Sequence, residues 1–92
     1  MRALTFHPRA LASLAKMAKA DAVRVVAKLE WLAAHPAPET VVKRIATPPP
    51  SLEGVARLRA GDYRVILWLE PDAVAVYAVG RRADVYEISK KK

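Results

Sequence analysis

The sequence predicts an α+β fold: an N-terminal strand, an antiparallel two-helix hairpin, then an antiparallel sheet of three to four strands. Three observations predict it. Apolar residues recur at helical spacing between Leu11 and Leu32. They alternate at period two between Val55 and Val79. The pairs Gly61-Asp62 and Pro71-Asp72 divide that alternating stretch into three strands. Helices gathered ahead of strands pack on one sheet face and leave the other partly open to solvent.

Each element has a local reason. Met1 to Phe6 alternates loosely, with Leu4 and Phe6 apolar, and reads as a first strand. Pro8 suits a first helical turn, where its missing N–H costs nothing. Leu11, Leu14, Ala15 and Ala18 then carry a helix to about Lys19. Asp21 suits a cap for a second helix, in which Ala22, Val25, Val26, Leu29 and Leu32 line one face. Arg24, Lys28 and Trp31 fall on its other faces, and Pro36 and Pro38 end it. Val41 to Ile45 is a short extended piece. Pro48-Pro49-Pro50 reads as a stiff connector of polyproline character, with a partner ligand as the alternative.

Composition bounds the function. The chain has 92 residues, read as a single domain over residues 1–92, with 53% of them apolar. Cysteine is absent, which removes disulfides and thiolate metal sites from consideration and fits a reducing compartment. No stretch approaches the ~20 apolar residues that span a bilayer, and the first residues lack the apolar run of a signal peptide. A cytoplasmic location without membrane association is therefore expected. Sixteen Lys and Arg against nine Asp and Glu give a formal charge of +7, which favours a polyanionic partner.

The strand pattern makes that partner more specific. With Gly61-Asp62 at the centre of a tight hairpin, Ala60 pairs with Tyr63 and Arg59 with Arg64. Arg57, Arg59 and Arg64 then share one face with Ile66 and Trp68, while Leu58, Tyr63, Val65, Leu67 and Leu69 take the helix-covered face. Like charges across a ladder repel, so three arginines on one face suggest an anion among them. The competing reading is a solvated face whose arginines pair with Glu53, Glu70 or Asp84. Arg81 and Arg82 follow the third strand, with Tyr86 four residues beyond. Guanidinium forks suit phosphate, and a tyrosine ring suits a stacked base. Tyr86 reads equally as a core or rim aromatic. His7 and His35 lie outside this set and read as capping or surface residues.

Two runs carry a family resemblance. Arg57-Leu58-Arg59-Ala60-Gly61-Asp62-Tyr63-Arg64-Val65-Ile66, followed by Val76-Tyr77-Ala78-Val79-Gly80-Arg81-Arg82-Ala83-Asp84-Val85-Tyr86-Glu87, resembles the RelE toxins of the RelE/ParE toxin–antitoxin superfamily. Phe6-His7-Pro8-Arg9-Ala10-Leu11 resembles the start of their helical hairpin. The resemblance implies a ribosome-dependent endoribonuclease that cuts mRNA through attack of the ribose 2′-hydroxyl on the adjacent phosphate, with no metal or other cofactor. It implies an antitoxin partner in a hetero-oligomeric complex. Among catalytic residues, Arg64 matches the arginine that holds the scissile phosphate. Arg57 falls on a basic strand position near the reacting groups. Arg82 matches the arginine after the Val-Gly step, tied to phosphate stabilisation or leaving-group protonation. Tyr86 matches the tyrosine that orients the nucleotide. Arg59, Arg81, Lys43 and Arg44 are the expected further RNA contacts. The sequence departs from some relatives at Val55, where they carry lysine, and from many at Arg81, where they carry histidine. Two other readings stand beside this one: a ParE-like toxin that inhibits gyrase, and a RelE homologue that only binds RNA or its antitoxin.

Overall fold

The computed structural model describes residues 2–45 and 52–81. In chain order they form β1 (Ala3–Phe6), α1 (Pro8–Lys16), α2 (Lys19–Ala34), β2 (Lys43–Arg44), β3 (Ala56–Ala60), β4 (Tyr63–Leu69) and β5 (Ala73–Arg81). A turn of 3-10 helix, Pro38–Thr40, lies between α2 and β2. The strands form one sheet in the order β1-β5-β4-β3-β2. β3, β4 and β5 are the expected antiparallel meander, and β2 adds an antiparallel edge. β1 joins the opposite edge parallel to β5, so the sheet is mixed and has five strands rather than three or four. The reason is connectivity. The two helices carry the chain away from β1, which lets β1 dock beside the last described strand in the same direction.

His7 caps a helix with its side chain, and His35 ties down the turn after one. The Nδ1 of His7 accepts the Arg9 N–H at 3.0 Å, with Pro8 in the first helical turn, and this starts α1. The Nδ1 of His35 accepts the Ala37 N–H at 2.9 Å just past the end of α2. Two helical details differ from expectation. α1 stops at Lys16, because Met17 and Ala18 are extended, and its buried stripe runs through Ala10 and Leu14 while Leu11 is exposed. α2 starts two residues ahead of Asp21, with no side-chain cap. Asp21 sits instead in the first turn, where its charge faces the positive end of the helix dipole, and its carboxylate accepts the Tyr63 hydroxyl at 3.0 Å. A tertiary partner has taken the carboxylate that the sequence assigned to a cap.

The main core lies between the helices and the sheet. Ala10 of α1 and Val25, Leu29, Leu32 and Ala33 of α2 pack against Leu58, Val65, Leu67, Val74, Val76 and Val79. Every one of these side chains is buried. Leu4, Phe6, Tyr63 and Leu69 close its margins. Burial of an aliphatic side chain is worth roughly 1.5–3 kcal/mol, so this layer supplies most of the drive to fold. It also fixes register, since a slip of one residue would turn the apolar set outwards.

Candidate nucleic-acid interface

The helix-free face of the sheet divides into two regions. On one, Leu52, Val55, Ile66 and Ala78 form a small buried cluster, edged by Ile45, Trp68 and Tyr77. The turn at residues 52–55 folds over it, with the Val55 N–H donated to the Leu52 carbonyl at 3.2 Å and the Trp68 indole N–H to the Glu53 carbonyl at 3.0 Å. Gly54 has φ +84°, and a Cβ there would lie 4.0 Å from the Trp68 ring. Val55 is 0% exposed, so the position where some relatives carry lysine is a core position in this chain.

A bulge shapes the edge of that cluster. Ile66 pairs with Ala78 but Leu67 pairs with Val76, which leaves Tyr77 without a cross-strand partner. Adjacent residues Tyr77 and Ala78 therefore both serve the helix-free face, as a bulge allows. Tyr77 meets Trp68 edge-on at 5.6 Å and His7 at 5.0 Å, with the Arg9 guanidinium 5.2 Å from its ring centre.

The second region is cationic. Arg59 pairs with Arg64, Ala60 with Tyr63 and Arg57 with Ile66, which is the register expected from the Gly61-Asp62 turn. Lys43 pairs with Arg57 from the edge strand. Arg57, Arg59, Arg64 and Lys43 line a groove of about 470 Å³ whose other wall is Thr40, Val41 and Val42. Among the described residues no acidic one lines it. Among the described residues Arg59 and Arg64 have no hydrogen-bond or ion-pair partner for their side chains, so neither Glu53 nor Glu70 answers them. Convergent guanidinium groups on a rigid hairpin are suited to a phosphodiester, which accepts paired N–H donors along a defined direction.

The other expected contacts divide. Arg44 lies opposite Ala56, one position out of phase with Lys43, and does not line the groove. Arg81 lies opposite Tyr63, and its guanidinium sits 5.8 Å from that ring, on the strand phase opposite to Arg64. The reason is alternation: Gly80, not Arg81, is the partner of Arg64. Arg82, Asp84 and Tyr86 lie outside the described residues, as does Pro48-Pro49-Pro50. Sequence reasoning missed Thr40, Val41 and Val42. They form the groove wall only because the segment after α2 runs back beside β3, and no local pattern announces that path.

Comparisons with known proteins agree with this architecture. A chain of the RelBE2 toxin–antitoxin complex of Mycobacterium tuberculosis superposes with a TM-score of 0.69 at 20% identity, covering 88% of this chain and 98% of that one. A chain of the intact E. coli RelBE toxin–antitoxin complex gives 0.67 at 24% identity, covering 88% and 96%. The isolated E. coli RelE toxin gives 0.67 at 24% identity, covering 99% and 97%. At these identities the likeness establishes the fold, which is that of RelE. No curated protein matches the sequence. The family model described as ParE toxin of type II toxin–antitoxin system, parDE, matches residues 4–86. With nearly the whole sequence matched and a RelE fold beneath it, this chain belongs to the ParE toxin family of the RelE/ParE superfamily, the toxins of type II toxin–antitoxin systems.

Proposed function

We propose that this toxin is a ribosome-dependent endoribonuclease that cuts mRNA and so arrests translation in the cytoplasm. The observation that carries the reading is the groove of Arg57, Arg59, Arg64 and Lys43, cationic on one side and with no acidic lining residue among the described residues. In the proposed step the ribose 2′-oxygen attacks the adjacent phosphorus, and the bond to the 5′-oxygen breaks. The 2′-hydroxyl proton passes to water as the nucleophile forms, and the departing 5′-oxygen takes up a proton from water. The products are a 2′,3′-cyclic phosphate and a free 5′-hydroxyl. Arg64 and Arg57 hold the phosphate and offset the charge that grows on its oxygens, a task for fixed donors. Arg82 stabilises the phosphate and the charge that develops on the leaving oxygen, and Tyr86 orients the nucleotide. An arginine stays protonated at working pH, so the groove supplies positioning and charge rather than a general base.

The complexes of the structural relatives support an antitoxin partner, and we propose a hetero-oligomer in which an acidic antitoxin segment covers the groove. Primer extension across a translated reporter mRNA tests the catalytic reading. Cuts confined to translated frames, and lost in Arg64→Ala, are the expected result. Intact mRNA with wild-type protein would remove it. A second reading, inhibition of gyrase, is favoured by the match to the ParE family model. A supercoiling assay separates the two, since only the gyrase reading expects inhibition with mRNA intact.

A further inference from the structure

A second groove, of about 350 Å³, adjoins the first around the tip of the β3–β4 hairpin. Arg24, Ala27, Lys28 and Trp31 of α2 line one side, and Arg59, Ala60 and Gly61 the other. Arg59 belongs to both grooves, and among the described residues neither has an acidic one in its lining. The stem of Arg24 lies against the turn, its Cδ 3.8 Å from where a Cβ would stand on Gly61. Arg24 has no hydrogen-bond or ion-pair partner among the described residues. Trp31 is 44% exposed, which is unusual for so large an apolar ring. The Lys28 ammonium sits 4.3 Å from its ring centre, and the His35 ring meets it edge-on at 5.1 Å.

From this continuity we infer that α2 carries a second subsite for single-stranded RNA. The strand leaves the arginine groove at Arg59, turns the hairpin tip, and runs over Arg24 and Lys28 with a base stacked on Trp31. Grooves that track single strands pair backbone cations with an aromatic ring that accepts any base, and these residues supply both elements. The lining cations Arg24, Lys28 and Arg59 complement a polyanion rather than an apolar helix, and the exposed Trp31 ring beside them favours a nucleic-acid strand over an acidic peptide. The inference rests on the RNA-binding reading of the first groove, but not on cleavage.

The test uses the full chain and non-cleavable 2′-O-methyl RNA of about 4 and about 12 nucleotides, lengths that bracket the site of a small single-strand module. Binding is read by fluorescence anisotropy over a range of salt. Trp31→Ala is expected to weaken the longer RNA roughly 5- to 150-fold, the range for one stacked base, and to leave the shorter one unchanged. Trp31→Phe keeps a ring and should recover most of that loss. The Arg24→Ala/Lys28→Ala double variant should lower the salt slope for the longer RNA by about 1.4, at about 0.7 for each phosphate no longer neutralised. Circular dichroism melts check that each variant is folded. Unchanged affinity and slope for the longer RNA in folded variants would overturn the inference. So would loss of poly-glutamate binding with RNA binding intact, which would make the groove a protein-docking surface. Intact mRNA with the wild-type protein would defeat the endonuclease reading alone, because this experiment reads binding and not bond breakage.

Discussion

The two faces of β3 and β4 differ more than any two separate elements of the molecule. Successive residues Leu58 and Arg59 belong to the same strand, yet one is sealed beneath α2 and the other is exposed in a groove. Val65 and Arg64 repeat the division on the neighbouring strand. The helix-covered face is optimised for packing, with every side chain answered by another. The groove face keeps Arg59 and Arg64 opposite each other, an arrangement that costs stability unless an anion is present. One hairpin thus holds its charges rigid by anchoring the reverse side of the same residues' backbone.

Substitutions on the two faces should therefore separate stability from binding. The largest effect belongs to Leu58→Ala, which opens a cavity in the main core and should cost about 2–5 kcal/mol in urea unfolding. A loss below about 1 kcal/mol would mean that the helices do not depend on this face. Tyr63→Phe removes the hydroxyl that donates to Asp21 and should cost about 1.5–3 kcal/mol, typical of a hydrogen bond to a charged group. Adding Asp21→Asn to that variant should cost much less than it does in the wild type, and independent, additive losses would show that the pair carries no coupling energy. Gly61 has φ +63°, so Gly61→Ala should lose about 1–2 kcal/mol, while Gly61→Asn, which tolerates this conformation, should lose less. Equal losses would place the strain elsewhere. The smallest effect on stability, with the opposite sign, is expected for Arg59→Ala. Relief of repulsion should leave the protein unchanged or more stable by a few tenths of a kcal/mol, while RNA affinity falls. A clear loss of thermal stability with RNA affinity unaltered would show that Arg59 serves packing and not the groove.

Much of this was legible in the sequence. Alternation around Gly61-Asp62 gave the register of β3 on β4, and with it the shared face of Arg57, Arg59 and Arg64. Helical spacing gave α2 and its buried residues Val25, Leu29 and Leu32. Alternation was less reliable further on. It did not reveal the bulge that turns Tyr77 and Ala78 to one face, nor the pairing of Arg81 with Tyr63. A bulge adds one residue to one strand only, so it is visible in the pairing and not in the run of residue types.

What the sequence determined by itself is whatever depends on neighbours along the chain. That includes the strand and helix periods, the turn at Gly61, the proline that opens α1 and the charge of the groove-forming hairpin. What only the tertiary structure decided is whatever depends on residues brought together from afar. β1 became the parallel partner of β5, Asp21 went to Tyr63 instead of capping α2, and Val55 was buried beside the arginines. Thr40 to Lys43 closed one groove, and Arg24, Lys28 and Trp31 met Arg59 across a second. Local preferences are worth tenths of a kcal/mol to about one per residue, whereas burial and long-range hydrogen bonds are worth more, so where the two disagree the packing prevails.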